Sequence, residues 1–402
     1  DIPAGNTLPN PYSDNAADVG QPVFPWRGRI TCSPSIGYVG SVDQTATAGT
    51  QVDAFFGNVT TGDFTINGTA VDYTGSASDW GYRRMCLHYA NLCKAAGGVS
   101  GFLVGTEMVG LTSIRESASS FPAVDKFVDL LTDVRSIVGS GTKLSYAADW
   151  SEYHSYRPSD GSNDVYFNLD KLWSNVNCDF VGIDNYLPAS DWRDGTSHLD
   201  YGSGTGQSTS IYDKDYLKAN IAGGEYYDWF YASDADRTSQ TRTNITDATY
   251  GKPWVFGNKR LREWWENPHY DRPGGVESAT ATSWTAEGKP FYFTEYGCPA
   301  VDKGSNQPDV FYDPKSSESF FPYFSYEKRD DLIHRVYHEA TIEFWNDGTN
   351  NPSSSVYSGQ MVETNKMFAW TWDARPYPDF PFRSDVWSDG DNWYRGHWLN
   401  GR

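Results

Sequence analysis

Five apolar stretches of the chain run straight into a polar or acidic residue. GFLVGTEM (Gly101 to Met108) closes on Glu107, and KLSYAADW (Lys143 to Trp150) closes on Asp149. CDFVGIDNY (Cys178 to Tyr186) ends in Asp184 and Asn185, PFYFTEYG (Pro290 to Gly297) in Glu295, and MFAWTWD (Met367 to Asp373) in Asp373. Their hydrophobicity is nearly continuous rather than alternating, the pattern of strands covered on both faces. Helix-period text lies between them: about Val124 to Val138 with Phe127, Leu130, Leu131 and Val134 on one side, then Tyr216 to Ala222, Asn258 to Trp265 and Arg329 to Trp345. Strands alternating with helices predict βαβ units and a parallel sheet. In a (β/α)8 barrel the C-terminal strand ends carry the chemistry. Strand ends are also where solvent begins and polar residues collect. Five such endings in succession, several flanked by aromatics, favour a site there.

Ahead of these stretches the text is less regular. Residues 1 to 28 are rich in Pro, Asn, Gly and Asp and read as loop. RITCSPS (Arg29 to Ser35) is a short strand candidate, Gln44 to Phe56 a helix candidate, and DFTINGTAVDYTG a hairpin turning at Asn67-Gly68. Asp79 stands as the N-cap of a helix running to about Ala96 and closed by Gly97-Gly98, with Met85, Tyr89 and Leu92 as its apolar stripe. Leu187 to Lys289 is a long polar excursion bearing Trp and Tyr, expected to form part of a cleft wall. No linker or repeat divides the chain. Residues 1–402 are expected to form a single domain, with 1–78 a loop-rich N-terminal segment and 187–289 an insertion between two strands.

Composition narrows the function. Aromatics make up 16% of the chain, with 16 Trp and 27 Tyr, more than a core alone needs. Clefts that stack flat hydroxylated rings use such residues, since Trp and Tyr offer an apolar face and a polar edge. The formal charge of −20 argues against nucleic acid and against anionic membranes, and it is compatible with a neutral substrate or a saline habitat. The five cysteines (Cys32, Cys86, Cys93, Cys178, Cys298) are odd in number and imply no disulfide framework. No C-x-x-C or His/Cys cluster suggests zinc, and neither a metal nor a cofactor is expected. No apolar run approaches the length that spans a bilayer. The start at Asp1, without Met or a signal-peptide pattern, reads as a piece excised from a longer chain.

The carboxylates at the strand ends suggest a reaction. Cleaving a glycosidic bond with retention needs two carboxyl groups about 5–5.5 Å apart, one attacking and one donating a proton. Glu107 and Glu295 are separated by two strands in the predicted order, so a parallel barrel would face them across its mouth. The arrangement resembles the clan-A retaining glycoside hydrolases. That likeness makes GTEM strand four, YAADW five, GIDNY six, FTEYG seven and WTWD eight; DFVGIDNYLP and FTEYGCP resemble the mannanase-type branch. It implies Glu295 as nucleophile and Glu107 as acid/base. It also implies that Tyr186 hydrogen bonds the nucleophile, and that Trp370 or Trp372 is a platform under the reacting sugar. Where the clan has Asn before its acid/base Glu, holding the sugar 2-hydroxyl, this chain has Thr106, which still offers one hydrogen bond.

A longer resemblance covers almost the whole chain. WRGRITCSP, RRMCLHYANLCKAAGG, SYAADWSEYHSY, DFVGIDNYLPASDWRDG, YLKANIAGGEYYDWFYAS, KPFYFTEYGCPAVDKGSNQP, DPKSSES, WTWDARPYP and GHWLNGR resemble the TIM-barrel-like region of gene transfer agent and phage tail proteins. It implies a retaining β-glycosidase on a phage-like tail particle, made in the bacterial cytoplasm. The implied substrate is the cell-surface glycan or peptidoglycan of a recipient bacterium, and the implied protein partners are other tail proteins, reached through the rest of the parent polypeptide. A catalytically inactive carbohydrate-binding barrel is the alternative. Strands one to three would have to precede residue 101, where the text offers poor substitutes. The expected fold is therefore an α/β, (β/α)8 TIM-barrel-like architecture, incomplete in this chain, with strands four to eight recognisable and long βα loop insertions.

Other residues carry open alternatives. Asp149, beside Trp150, is a sugar-hydroxyl ligand or an Arg partner. Asp184 and Asn185 bind substrate, or Asp184 caps the turn. Asp373 and Arg375 read as a structural ion pair. His88 reads as an interior histidine, and His334 and His338 lie four apart on a helix without an evident third ligand. Glu225 is a candidate for lining subsites; Trp229, Trp264 and Trp265 are candidates for stacking or for the core.

Overall fold

The computed structural model describes residues 25–311 and 318–370 continuously, with 6–8, 10, 12, 19–22, 382, 383 and 385 besides. Helix α1 (Ala46–Phe56) is followed by an antiparallel hairpin, β1 (Phe64–Asn67) and β2 (Ala70–Tyr73), and by α2 (Tyr82–Ala95). Then come β3 (Gly101–Thr106), α3 (Val109–Thr112), α4 (Pro122–Val138), β4 (Lys143–Asp149), α5 (Asp170–Trp173) and β5 (Val181–Asn185). The excursion after β5 holds α6 (Lys214–Ile221), a small hairpin of β6 (Trp229–Phe230) and β7 (Thr243–Asn244), α7 (Asp234–Ser239) and α8 (Leu261–Glu266). Strand β8 (Phe291–Tyr296), helix α9 (Asp331–Asn346) and β9 (Val362–Ala369) complete the described chain. None of the described helices is long and apolar enough to cross a membrane.

The five expected strands form one parallel sheet in the order β3-β4-β5-β8-β9. Its register places Asp149 beside Asp184 and Asp184 beside Glu295, so the polar strand ends are neighbours in space. One face of the sheet is apolar and packs on helices. Tyr146 meets Phe127 of α4 with ring centroids 5.0 Å apart, Phe291 meets Trp264 of α8 at 5.6 Å, and Phe293 meets Trp345 of α9 at 5.7 Å. The near-continuous apolar text is explained by this covering. Among the described residues the barrel does not close: β3 and β9 are the outer strands of the sheet.

Helix α4 buries the expected Phe127, Leu130, Leu131 and Val134. Three expectations for the N-terminal part are corrected. RITCSPS is not a strand, because Ser33 spends its backbone N–H and carbonyl on the Gln51 side chain, both at 2.8 Å. Asp79 is not the cap of α2; Gly81 is, and the Asp79 carboxylate instead receives the N–H groups of Asn58 and Gly81. The apolar face of α2 is Cys86, Leu87 and Ala90, while Met85 and Tyr89 are about half exposed, which rotates the expected stripe by one residue. All five cysteines are free. Trp372, Asp373 and Arg375 lie outside the described residues.

Candidate active site

Strand β3 leaves the sheet at Glu107, whose φ of 46° lies in the left-handed region that a glutamate rarely adopts. The turn is held from both sides. The Glu107 N–H donates to Ala147 O at 2.8 Å, and the Met108 N–H donates to the Tyr146 hydroxyl at 2.6 Å. That hydroxyl in turn donates to Glu152 at 2.9 Å. Opposite, β8 delivers Glu295, half-buried, and the Tyr186 hydroxyl donates to its Oε2 at 2.7 Å. Carboxylate oxygens of Glu107, Asp184 and Glu295 lie within 4.8 Å of one another.

Like charges this close cannot all be ionised cheaply. Burial, reinforced by Glu295 and Glu107, pushes the Asp184 carboxyl up to about 8. Glu295 is also raised, by burial first and by Glu107 second, while the Tyr186 hydrogen bond and Arg27 work against the rise. Burial likewise carries Asp149 up to about 6 and Glu152 up to about 8.

The strand-end residues separate into two groups. Tyr186 stands on Glu295. Trp150 is partly exposed, its ring 5.1 Å from that of Tyr226, and Trp370 is 55% exposed just after β9. Tyr186 is buried, whereas Trp150 and Trp370 are accessible to a ligand. The polar candidates Asp149, Asp184 and Asn185 are buried, as is Glu107 at 8% exposure, and Thr106 is partly buried. Asp184 is fully buried, with its oxygens taken by Thr106 and Thr294. Asn185 is buried on the far side, beside Leu187, Lys259 and Trp345. Asp149 is neither an Arg partner nor open to a sugar; it accepts from the Ser151 N–H at 2.8 Å and from the Ser151 hydroxyl. Thr106 points its hydroxyl inward to Asp184, at 3.1 Å, rather than toward a sugar 2-hydroxyl.

Several other candidates also turn out to be structural. Glu225 is buried in a two-pronged pair with Arg237, at 2.6 and 3.0 Å. Trp264 and Trp265 are fully buried, and Trp229 is buried beneath the Arg242 guanidinium. His334 and His338 face each other, Nε2 to Nε2, at 3.0 Å. Among the described residues, the one group of three or more His, Cys, Asp or Glu able to hold a metal ion is the Glu107–Asp184–Glu295 trio.

Sequence reasoning did not find Trp26 and Arg27. Both donate to the same Glu107 oxygen, Oε2: the Trp26 indole N–H at 3.0 Å and an Arg27 Nη2 N–H at 2.8 Å. Arg27 also donates through Nε to Thr106 O at 3.0 Å. Both residues sit in WRGRITCSP, a motif already noted, but nothing in its spacing signals contact with a strand end some 80 residues away.

Residues 80–381 match the GTA TIM-barrel-like domain. The chain belongs to that family. Among solved structures, the GTA TIM-barrel-like domain described here is similar to one titled "Structure of GH113 beta-1,4-mannanase", with 16% identity, 70% of this chain and 53% of that chain covered, and a TM-score of 0.29. The chain thus spans about half the length of that relative. No curated protein matches it.

Proposed function

We propose that this domain is a glycoside hydrolase that cleaves a β-glycosidic bond with retention, in a polysaccharide or peptidoglycan of the bacterial envelope. The observation that carries this reading is the approach of the Glu107 and Glu295 carboxylate oxygens to within 4.8 Å. Retaining enzymes hold their two carboxyls about 5–5.5 Å apart, whereas inverting enzymes need about 6.5–9.5 Å to admit a water. In the first step Glu295 attacks the anomeric carbon, the bond to the leaving oxygen breaks, and that oxygen takes the proton of Glu107. In the second, Glu107 takes a proton from water, which displaces Glu295 and restores both groups. Tyr186 steadies the attacking oxygen. With Oε2 of Glu107 held by Trp26 and Arg27, Oε1 is the oxygen assigned to proton transfer. Trp150, Tyr226 and Trp370 are the accessible faces for sugar rings. The family supports a place on a phage-like tail particle, with the recipient's surface glycan as substrate and other tail proteins reached through the parent polypeptide.

The test is a pair of variants assayed on aryl glycosides and on a panel of purified envelope glycans. Glu295→Gln is expected to abolish turnover of every substrate, because no other group attacks. Glu107→Ala is expected to slow poor leaving groups by about 10²–10⁴-fold while sparing the first step on good ones, with azide rescuing the second step. Equal losses in both variants on both substrates, with no rescue, would reverse or remove these roles.

One observation favours a second reading, a carbohydrate-binding barrel without turnover. Glu107 is buried, at 8% exposure, and one of its two carboxylate oxygens is already taken by Trp26 and Arg27, at 3.0 and 2.8 Å, an arrangement that suits a structural anchor at the mouth of a binding cleft. Full retention of glycan binding, with no turnover by wild type, would select it.

A further inference from the structure

Between the two glutamates stands a carboxyl that no substrate can reach. Asp184 is fully buried near the end of β5, and both of its oxygens are occupied. Thr106 Oγ1 donates to Oδ2 at 3.1 Å, and Thr294 Oγ1 donates to Oδ1 at 2.7 Å. Each threonine is the residue immediately before a glutamate: Thr106 precedes Glu107, and Thr294 precedes Glu295. Strands β3 and β8 are not neighbours, since β4 and β5 lie between them, so no ladder joins the two glutamate-bearing ends directly. The ladders that join them indirectly are interrupted close to the site. The β3–β4 register shifts between Leu103 and Thr106, and the β5–β8 register shifts between Ile183 and Asp184.

We propose that Asp184 is a positioning residue that ties the ends of β3 and β8 together through Thr106 and Thr294, and so sets the separation of Glu107 and Glu295. This rests on the reading of those glutamates as the reacting pair and extends it to how their spacing is kept. The side-chain bridge supplies the restraint that the shifted ladders lack. A threonine hydroxyl both donates and accepts, so the bridge survives whether or not the Asp184 carboxyl carries a proton. Burial, reinforced by the flanking glutamates, pushes the Asp184 carboxyl up to about 8, which favours its uncharged form between them.

Thr106→Val and Thr294→Val keep the shape of each side chain and remove its hydroxyl. In crystals of the double variant the Glu107–Glu295 separation is expected to move by about 0.5 Å or more, the tolerance within which a reacting pair must be held. On a glycan that wild type turns over, kcat is expected to fall by about 10–100-fold with KM within about threefold. Serine at both positions is expected to recover most of the loss. Asp184→Asn, which can bridge the same two hydroxyls, is expected to keep the separation. If the double variant does not fold, the two single variants provide the same measurement. An unchanged separation overturns the tie, and so does a raised KM at constant kcat, which would make Thr106 a substrate contact. A wild type inactive on every glycan, alongside a shifted separation, would remove the glycosidase reading and leave the tie standing.

Discussion

Asp184, Glu152 and Asp149 are buried carboxyls behind the strand ends, and each is pushed well above the ordinary range by loss of water. Between pH 5 and 7 the folded chain therefore holds protons that the unfolded chain has lost. Stability falls with pH wherever the native state binds more protons. The stabilising contribution of these groups is complete below their unfolded values near 4 and is lost through about 6 for Asp149 and about 8 for Asp184 and Glu152. Buried Lys259, depressed to about 7 by the same loss of water, acts in the opposite sense only above that pH. Four histidines, His154, His198, His334 and His338, are held below their ordinary value by loss of water and act in the opposite sense between pH 5 and 7, so the carboxyl effect is read by difference: the stability of wild type relative to Asp184→Asn is expected to fall as pH rises from 5 to 7. Calorimetry on both proteins across that window checks it; a difference between them that does not change with pH would mean that Asp184 is ionised in the fold.

At the scale of elements, the pairing of β4 with β5 depends on Gly182. A Cβ there would lie 2.4 Å from Tyr146 O, a backbone atom with nowhere to go, and 3.2 Å from the Thr294 methyl. Gly182→Ala is expected to destabilise the domain by about 1–3 kcal/mol, the usual penalty of overpacking, measured by denaturant titration; an unchanged midpoint would show that the strands can part. Such strands were legible in the sequence because burial on both faces leaves a long apolar word such as LSYAA or VGIDN. The buried face of α4 was legible for the related reason that Phe127, Leu130, Leu131 and Val134 repeat at the helical period. The face of α2 was not, because its buried side mixes Leu87 with small Cys86 and Ala90 and polar Asn91, while the larger Met85 and Tyr89 lie outside. At the site, the glutamates and Tyr186 were legible as strand endings. Trp26 and Arg27 were not, since tertiary contact alone brings an aperiodic segment onto Glu107. The inward turn of Thr106 and Asp184 was equally hidden, because sequence shows which residue ends a strand and not which way a shifted register aims it.

At the scale of the whole molecule, the described residues give the sheet two outer strands where a closed barrel would have none. An unpaired strand edge invites association, and on β3 side chains blunt it. Val104 O accepts from the Tyr82 hydroxyl at 3.0 Å and from the Cys86 thiol, while Thr106 O accepts from Arg27. The contacts that build the site are also distant in sequence. Thr106 meets Asp184 across 78 residues, Tyr186 meets Glu295 across 109, and Asp184 meets Thr294 across 110. Long-range closures form slowly because chain entropy is lost before any contact rewards it. In pulse-labelled hydrogen exchange during refolding, amides of α4 and α9 are expected to be protected before those joining β5 to β8; simultaneous protection would show a single concerted step. The order matters to the cell that makes the chain. Glu295, half of the proposed pair, is still unsynthesised when three of the five sheet strands already exist, and it meets Glu107 only after β8 has joined β5. A ribosome-bound, truncated or misfolded copy lacks the assembled Glu107–Glu295 pair, so on the proposed function no glycan would be cut before synthesis and folding are finished.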